Sequence, residues 1–336
     1  MNRFGISMGV SPREPLVKVG ELAKAIEARG FETLWFIDFQ LGLKDVYTSM
    51  SLAALATEKI AIGPAVTNVI TRHPTVTANA ITALDELSEE RALLGLGVGW
   101  SAVQGAGCKP STVNEVRAGI SAFRQMFTGE EVALYGTRVQ LATARRQIPI
   151  YLAAAQPRML RLCGETCDGL ILMGAAEPDF CHWQLNSLYE GLEKTGRNRS
   201  ELTIDLFVTM SVNEDENLAL NDVRAWATSQ AATFRTWKHL PPAWERFRPD
   251  FERAAQHYQL VEHLSLRAGH KEIVSDEFVQ SVAIAGNRRT CIDRLNELAR
   301  LDIDRITFAL LSGGRIRRLD ELATHVMPAL AGVEPG

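Results

Sequence analysis

The chain has 336 residues, 46% hydrophobic and 23% charged, with 25 glycines and 13 prolines; these are the proportions of a folded globular protein and exclude disordered, collagen-like and low-complexity chains. The length admits two domains of roughly 150 residues, or one α/β barrel, a fold that routinely takes about 200 to 250 residues or more. Thirty-six basic against 40 acidic residues give a net charge of −4, with no block of like charge and none of the basic footprint that phosphate backbones demand, so no nucleic-acid partner is expected.

Short β-type runs alternate with amphipathic helical stretches, punctuated by Gly, Pro, Asn or Asp. Residues 4–8 predict a first strand. The helix after it has Pro15 near its start, Leu16, Val19, Leu22, Ala23 and Ile26 at helical spacing, and Gly30 as terminator. Strands at 33–37, 60–66 and 92–98 are each followed by a helix, at 46–58, 75–87 and 112–127, the last opened by a Thr112–Glu115 capping box. Residues 131–141, turning at Tyr135-Gly136, read as a small hairpin excursion. Strands at 148–153 and 169–173 with helices at 158–165 and 180–195 resume the rhythm, and 202–212 is a seventh strand. Residues 213–281, rich in Trp, Arg and His (Trp226, Trp237, Trp244, Arg246, Arg248), read as a helical insertion that acts as a lid or dimer element. A short apolar run at 282–285, a helix at 290–301, an eighth strand at 305–311 and a last helix at 319–330 complete the chain. Eight strands, each followed by helical chain, predict a single-domain α/β protein, a closed (β/α)8 TIM barrel with the insertion after strand seven. A doubly wound open sheet uses the same alternation and is the alternative.

Cys108, Cys163, Cys167, Cys181 and Cys291, odd in number and irregular in spacing, read as free thiols of a reducing compartment. No run approaches the ~20 apolar residues of a membrane span and the first residues lack a signal-peptide core, so a soluble cytoplasmic protein without a membrane partner is expected. Gly97-Val98-Gly99-Trp100-Ser101-Ala102 follows a strand and fits a relaxed dinucleotide fingerprint. The acidic residue that fingerprint wants about 20 positions on falls inside a helix, which favours a glycine-rich loop admitting some other ligand to a strand end. His257, His263 and His270 are spaced by six and seven, give no i, i+4 pair and lack a completing carboxylate, so no metal is expected. Cys163 and Cys167 share a helical face and read as small core residues. The absence of a G-x-S-x-G elbow and of a P-loop disfavours serine hydrolysis and nucleotide hydrolysis.

Several strand-end motifs fall in one order: Arg3-Phe4-Gly5-Ile6; Ala28-Arg29-Gly30-Phe31-Glu32-Thr33-Leu34-Trp35 leading to Asp38; Ile62-Gly63-Pro64-Ala65-Val66-Thr67-Asn68 leading to Thr71-Arg72-His73-Pro74; Gly95-Leu96-Gly97-Val98-Gly99; Pro149-Ile150-Tyr151-Leu152-Ala153-Ala154; Arg161-Leu162-Cys163-Gly164-Glu165-Thr166-Cys167-Asp168-Gly169; and Ala283-Ile284-Ala285-Gly286. With this series the chain resembles the bacterial-luciferase-like oxidoreductases, in particular the branch around methylene-tetrahydromethanopterin reductase, over nearly its whole length except the insertion. The resemblance implies a TIM barrel that holds a flavin or deazaflavin ring at the carboxyl ends of its strands. It places Asp38 near the ring, a non-proline cis peptide at Ala65-Val66, and Asn68 at the pyrimidine edge or in the turn before Pro74. Gly97 and Gly99 leave space for the ligand. The backbone at Ala155, Gln156 and Pro157, opening a helix, is similar to the family's phosphate site. Gly286 and Asn287, with Arg288 and Arg289, open another helix and offer the same service, the two arginines reading otherwise as ordinary solvated residues.

Two departures bear on substrate. The pterin reductases carry Glu near Ser7 and Gln at Ala155, so pterin chemistry is not implied here. Their common Gly-Asp-Ser-Ala-Val run is Gly99-Trp100-Ser101-Ala102-Val103, which puts an indole where an acid stands, to stack on a flat substrate or pack against the lid. The resemblance, which extends to other enzymes using the deazaflavin coenzyme F420, implies hydride transfer between F420 and a small organic substrate, with Asp38 or His73 as proton donor and a homodimeric assembly. The alternatives are an FMN-dependent monooxygenase on the same barrel, or a cofactor-binding barrel without turnover.

Overall fold

The computed structural model describes residues 3–257, 273–310 and 314–331. Strand β1 (Arg3–Met8) is followed by α1 (Lys18–Glu27), β2 (Thr33–Phe36) by α2 (Val46–Ala56), β3 (Ala61–Pro64) by α3 (Pro74–Leu87), and β4 (Leu94–Leu96) by the short α4 (Trp100–Gly105) and then α5 (Val113–Phe127). A hairpin of β5 (Val132–Leu134) and β6 (Thr137–Val139) precedes β7 (Ile150–Ala154), α6 (Pro157–Thr166), β8 (Gly169–Leu172), α7 (Pro178–Thr195) and β9 (Thr203–Val208). The chain continues through β10 (Met210–Val212), α8 (Glu216–Phe234), α9 (Arg248–His257), α10 (Asp276–Val282), β11 (Ile284–Gly286), α11 (Arg288–Ala299), β12 (Arg305–Ala309), α12 (Arg315–Glu321) and α13 (Met327–Leu330). None of the described helices is long and apolar enough to cross a membrane.

Eight strands pair in parallel in the order β3-β2-β1-β12-β9-β8-β7-β4. Bridges from Ile62 to Ala92 and from Thr67 to Leu96 join the two end strands, so the sheet closes into the (β/α)8 barrel. The strands are short and buried on both faces, as a sheet wrapped by helices requires; all four residues of β8 are buried. The helices bury one stripe each. In α5, Val116, Ile120, Phe123 and Phe127 recur at i, i+4, i+7 and i+11 on the core side, and the Thr112–Glu115 capping box opens it with both reciprocal bonds present.

The lower lumen is filled by Trp35 and Tyr151, ring centroids 5.3 Å apart, with Leu93 and Ile171. A Cβ on Gly169 would stand 2.2 Å from the Tyr151 ring, so that strand position stays bare to admit it. Below them Asp205 Oδ2 accepts from Trp35 Nε1 at 3.0 Å and from Arg305 Nη1 at 3.3 Å. Full burial pushes the Asp205 carboxyl above its ordinary value, and the Arg305 charge opposes that rise.

Two expectations need correction. The run 202–212 is two strands: β9 stays in the barrel, while β10, beyond Thr209, leaves it to pair in parallel with β11. A short helix, α4, occupies the stretch after β4 that reads as loop, begun by Gly99 at φ +77°. The segment 213–281 is helical where described and carries its own apolar core of Phe234, Trp244, Phe247, Phe251 and Phe278. Phe180 of α7 enters that core, 4.4 Å from the Trp244 ring, and fastens it to the barrel. Residues 258–272, with His263 and His270, lie outside the described residues; His257 ends α9.

Candidate active site

Above the Trp35–Tyr151 layer, Ala65, Val66, Ala153, Met173 and Phe207 pack on the lumen cluster yet are only partly buried. They form a floor of mostly small, apolar groups at the carboxyl ends of the strands, where barrel enzymes place their ligands. Around it stand the loops that follow β2, β3, β4, β7 and β8.

Asp38, just past β2, is 6% exposed, and its Oδ2 accepts from Arg72 Nη1 at 2.5 Å. Arg72 lies 3.5 Å from Asp45 as well and sits over the Tyr47 ring, 4.8 Å from its centroid. Burial works against the Arg72 charge, but the bond and charge of Asp38 outweigh it and raise its pKa. Burial also pushes the Tyr47 phenol up, with Arg72 opposing. Asp38 is thus a buried carboxylate anchored by a guanidinium.

The loop after β3 is tied to its neighbours by three backbone bonds: Ala65 N–H to Phe36 O at 2.7 Å, Thr67 N–H to Gly95 O at 3.0 Å, and Gly97 N–H to Thr67 O at 3.0 Å. The Ala65–Val66 peptide is cis. Asn68 is fully buried and its two ends differ. Oδ1 accepts from the Ile70 and Thr71 N–H groups at 2.9 and 2.8 Å, which builds the turn. Nδ2, also buried, has no protein acceptor among the described residues. A buried donor without an acceptor is costly, so this amide is suited to an acceptor the protein itself does not supply.

Gly97 and Gly99 lie tight against the protein itself. A Cβ on Gly97 would lie 2.6 Å from Val66 Cγ2, and Gly99 has φ +77° with Asn68 Cβ 2.9 Å from where its own Cβ would be. Trp100 starts α4, half-buried, and Gln40 Nε2 donates to Ala102 O at 2.8 Å, linking the loops after β2 and β4.

His73 is exposed. Its Nδ1 caps α3, accepting from Thr75 N–H at 3.3 Å, and its ring lies 5.1 Å from that of Tyr135 on the hairpin. His73 is thus the N-cap of α3, using Nδ1 alone. Gln156 stands at the N-cap position of α6 without a side-chain capping bond; its side chain pairs instead with the insertion, Nε2 donating to His239 O at 2.9 Å. Asn287 caps α11 through Thr290 N–H, while Arg288 is held by Glu321 at 2.7 and 3.0 Å and Arg289 is exposed. The two arginine side chains serve surface ion pairs. Arg72 was not singled out by the sequence reading, although it stands in the Thr71-Arg72-His73-Pro74 motif; its partner is 34 positions away.

Comparison with known proteins bears on this arrangement. The chain is 29% identical over 310 residues to the 5,10-methylenetetrahydromethanopterin reductase of Methanolobus tindarius, covering 90% of this chain and 92% of that one. It is 29% identical over 256 residues to the F420-dependent glucose-6-phosphate dehydrogenase of Nakamurella multipartita, covering 67% and 72%. Among solved structures, the coenzyme F420 dependent tetrahydromethanopterin reductase from Methanopyrus kandleri matches with a TM-score of 0.79 at 24% identity over 98% of this chain and 99% of its own. An F420-dependent secondary alcohol dehydrogenase in complex with an F420–acetone adduct matches at 0.77 and 18%, again over 98% and 99%. At these identities the structural likenesses speak for the fold. The family model described as luciferase-like monooxygenase matches residues 2–305, and the chain belongs to that family.

Proposed function

We propose that the protein is an oxidoreductase that binds coenzyme F420 at the carboxyl-end mouth of the barrel and moves hydride between it and a small organic substrate. The observation that carries this reading is the unpartnered, buried Nδ2 of Asn68 in the same loop that contributes Ala65 and Val66 to the mostly small, apolar floor. A flat ring with acceptors along one edge fits that combination, and the name of the F420-dependent relative from Nakamurella multipartita, 29% identical, points the same way. Asp38 and Asn68 would hold the ring edge, Ala65, Val66, Gly97 and Ala153 its face, and the backbone at Ala155, Gln156 and Pro157 its anionic arm. Bound there, the deazaflavin supplies the hydride-carrying carbon.

The chain's own contribution is orientation and exclusion of water. Arg72 fixes Asp38 so that its carboxylate accepts hydrogen bonds from a fixed direction, and Asn68 Oδ1 locks the turn that presents Nδ2. We assign Asp38 this orienting role. Trp100 offers an aromatic face for substrate at the rim.

The test is turnover. Purified protein is mixed with oxidised or reduced F420 and a panel of alcohols, sugar phosphates, enones and imines, and the deazaflavin absorbance is followed. Conversion with at least one substrate supports the reading. Oxygen consumption with reduced FMN in place of F420 would make it a monooxygenase, and tight F420 binding with no conversion across the panel would favour a binding protein.

A further inference from the structure

One side chain joins the ends of two strands at the mouth. Gln184, on α7, is 1% exposed. Its Nε2 donates to the carbonyl of Ala155, just past β7, at 3.1 Å and to that of Met173, just past β8, at 2.8 Å. Two carbonyl acceptors settle which end of the amide is which. Its Oε1 is buried without a protein partner among the described residues. Both carbonyls belong to trans peptides, in which C=O and N–H point in opposite directions. Turning the Ala155 and Met173 carbonyls toward α7, on the outside of the barrel, turns the N–H groups of Gln156 and Gly174 toward its axis. Neither N–H has a protein acceptor among the described residues. Gly174 has φ +142°, and a Cβ there would lie 2.9 Å from the Phe180 ring and 3.2 Å from Gln184 Nε2, so the close approach requires glycine.

We propose that Gln184 is a positioning residue of the candidate site: it fixes two peptide planes so that the Gln156 and Gly174 N–H groups form a paired donor for the phosphate of the cofactor's side arm. This rests on the cofactor reading above. The start of α6 adds its own N–H groups to the same place.

The experiment compares wild type with Gln184→Met, which keeps the bulk and removes both hydrogen bonds, and with the shorter, still polar Gln184→Asn, which cannot span the two carbonyls. Each is titrated by fluorescence with F420 and with the same deazaflavin cut back to its ribityl alcohol, and with FMN and riboflavin as a second pair; thermal melting of the unliganded protein reports on folding. Gln184→Met should weaken the phosphate-bearing ligand about thirtyfold and the alcohol no more than about threefold, the former being roughly one lost charge-assisted hydrogen bond. Gln184→Asn should show the same split. Equal losses for both forms, or unchanged affinity for the phosphate-bearing form, would overturn the inference while leaving the cofactor reading standing. Failure of wild type to bind either phosphate-bearing ligand would overturn the cofactor reading, and the inference with it.

Discussion

Asp38 depends on Arg72 for a charge partner at a position that is 6% exposed. Arg72→Leu should therefore destabilise the fold by about 3 kcal/mol, because a buried carboxylate left without its partner costs more than the pair gains; urea denaturation measures it, and Arg72→Lys should recover only part. Glu27 shows the same logic on the opposite side of the chemistry. Its carboxylate accepts from the N–H groups of Glu58, Lys59 and Ile60 at 3.0, 2.7 and 2.8 Å, fixing the entry to β3. Burial alone would raise its pKa, but those three bonds and the Arg91 charge outweigh it and lower it. The folded value lies below the unfolded one, so this stabilisation is complete above the ordinary glutamate range and is lost as pH falls through the depressed folded value. Glu27→Gln should cost about 1 kcal/mol near neutral pH, with the difference between variant and wild type closing in acid; a pH series of melting curves checks it.

The junction of β3 and β4 closes the barrel and carries the Ala65–Asn68 loop, so strand geometry and site geometry are one problem there. A Cβ on Gly95 would stand 2.0 Å from the Pro64 carbonyl oxygen. Gly95→Ala should lower stability by at least about 2 kcal/mol, the cost of forcing backbone apart in a packed sheet, and should weaken cofactor binding more than a distant variant of equal stability does. Most elements were legible because their determinants are local: the capping box of α5, Pro157 and Pro178 in the first turns of α6 and α7, and Gly196 at φ +68° closing α7. The break at Thr209 was not. Residues 203–212 have one continuous strand pattern, and only the partner β11, far along the chain, decides that the last three leave the barrel.

At the scale of the molecule, a barrel with a packed lower lumen and a second apolar core meet through Phe180, and the mouth lies on the side that Gln156 and His239 connect. The order of strand-end motifs was enough to read the barrel and the family from the sequence. The residues that shape the site were less legible, because Arg72 with Asp38 and Gln184 with Ala155 and Met173 meet only in three dimensions. The most direct measurement of the central claim is a fluorescence titration of the unliganded protein with F420 and, separately, with FMN, run beside Asp38→Ala. The account predicts saturable binding of one F420 per chain in the micromolar range or tighter, much weaker binding of FMN, and a loss of at least about tenfold in F420 affinity in the variant. Tighter binding of FMN than of F420, or F420 binding unaltered in Asp38→Ala, would contradict it.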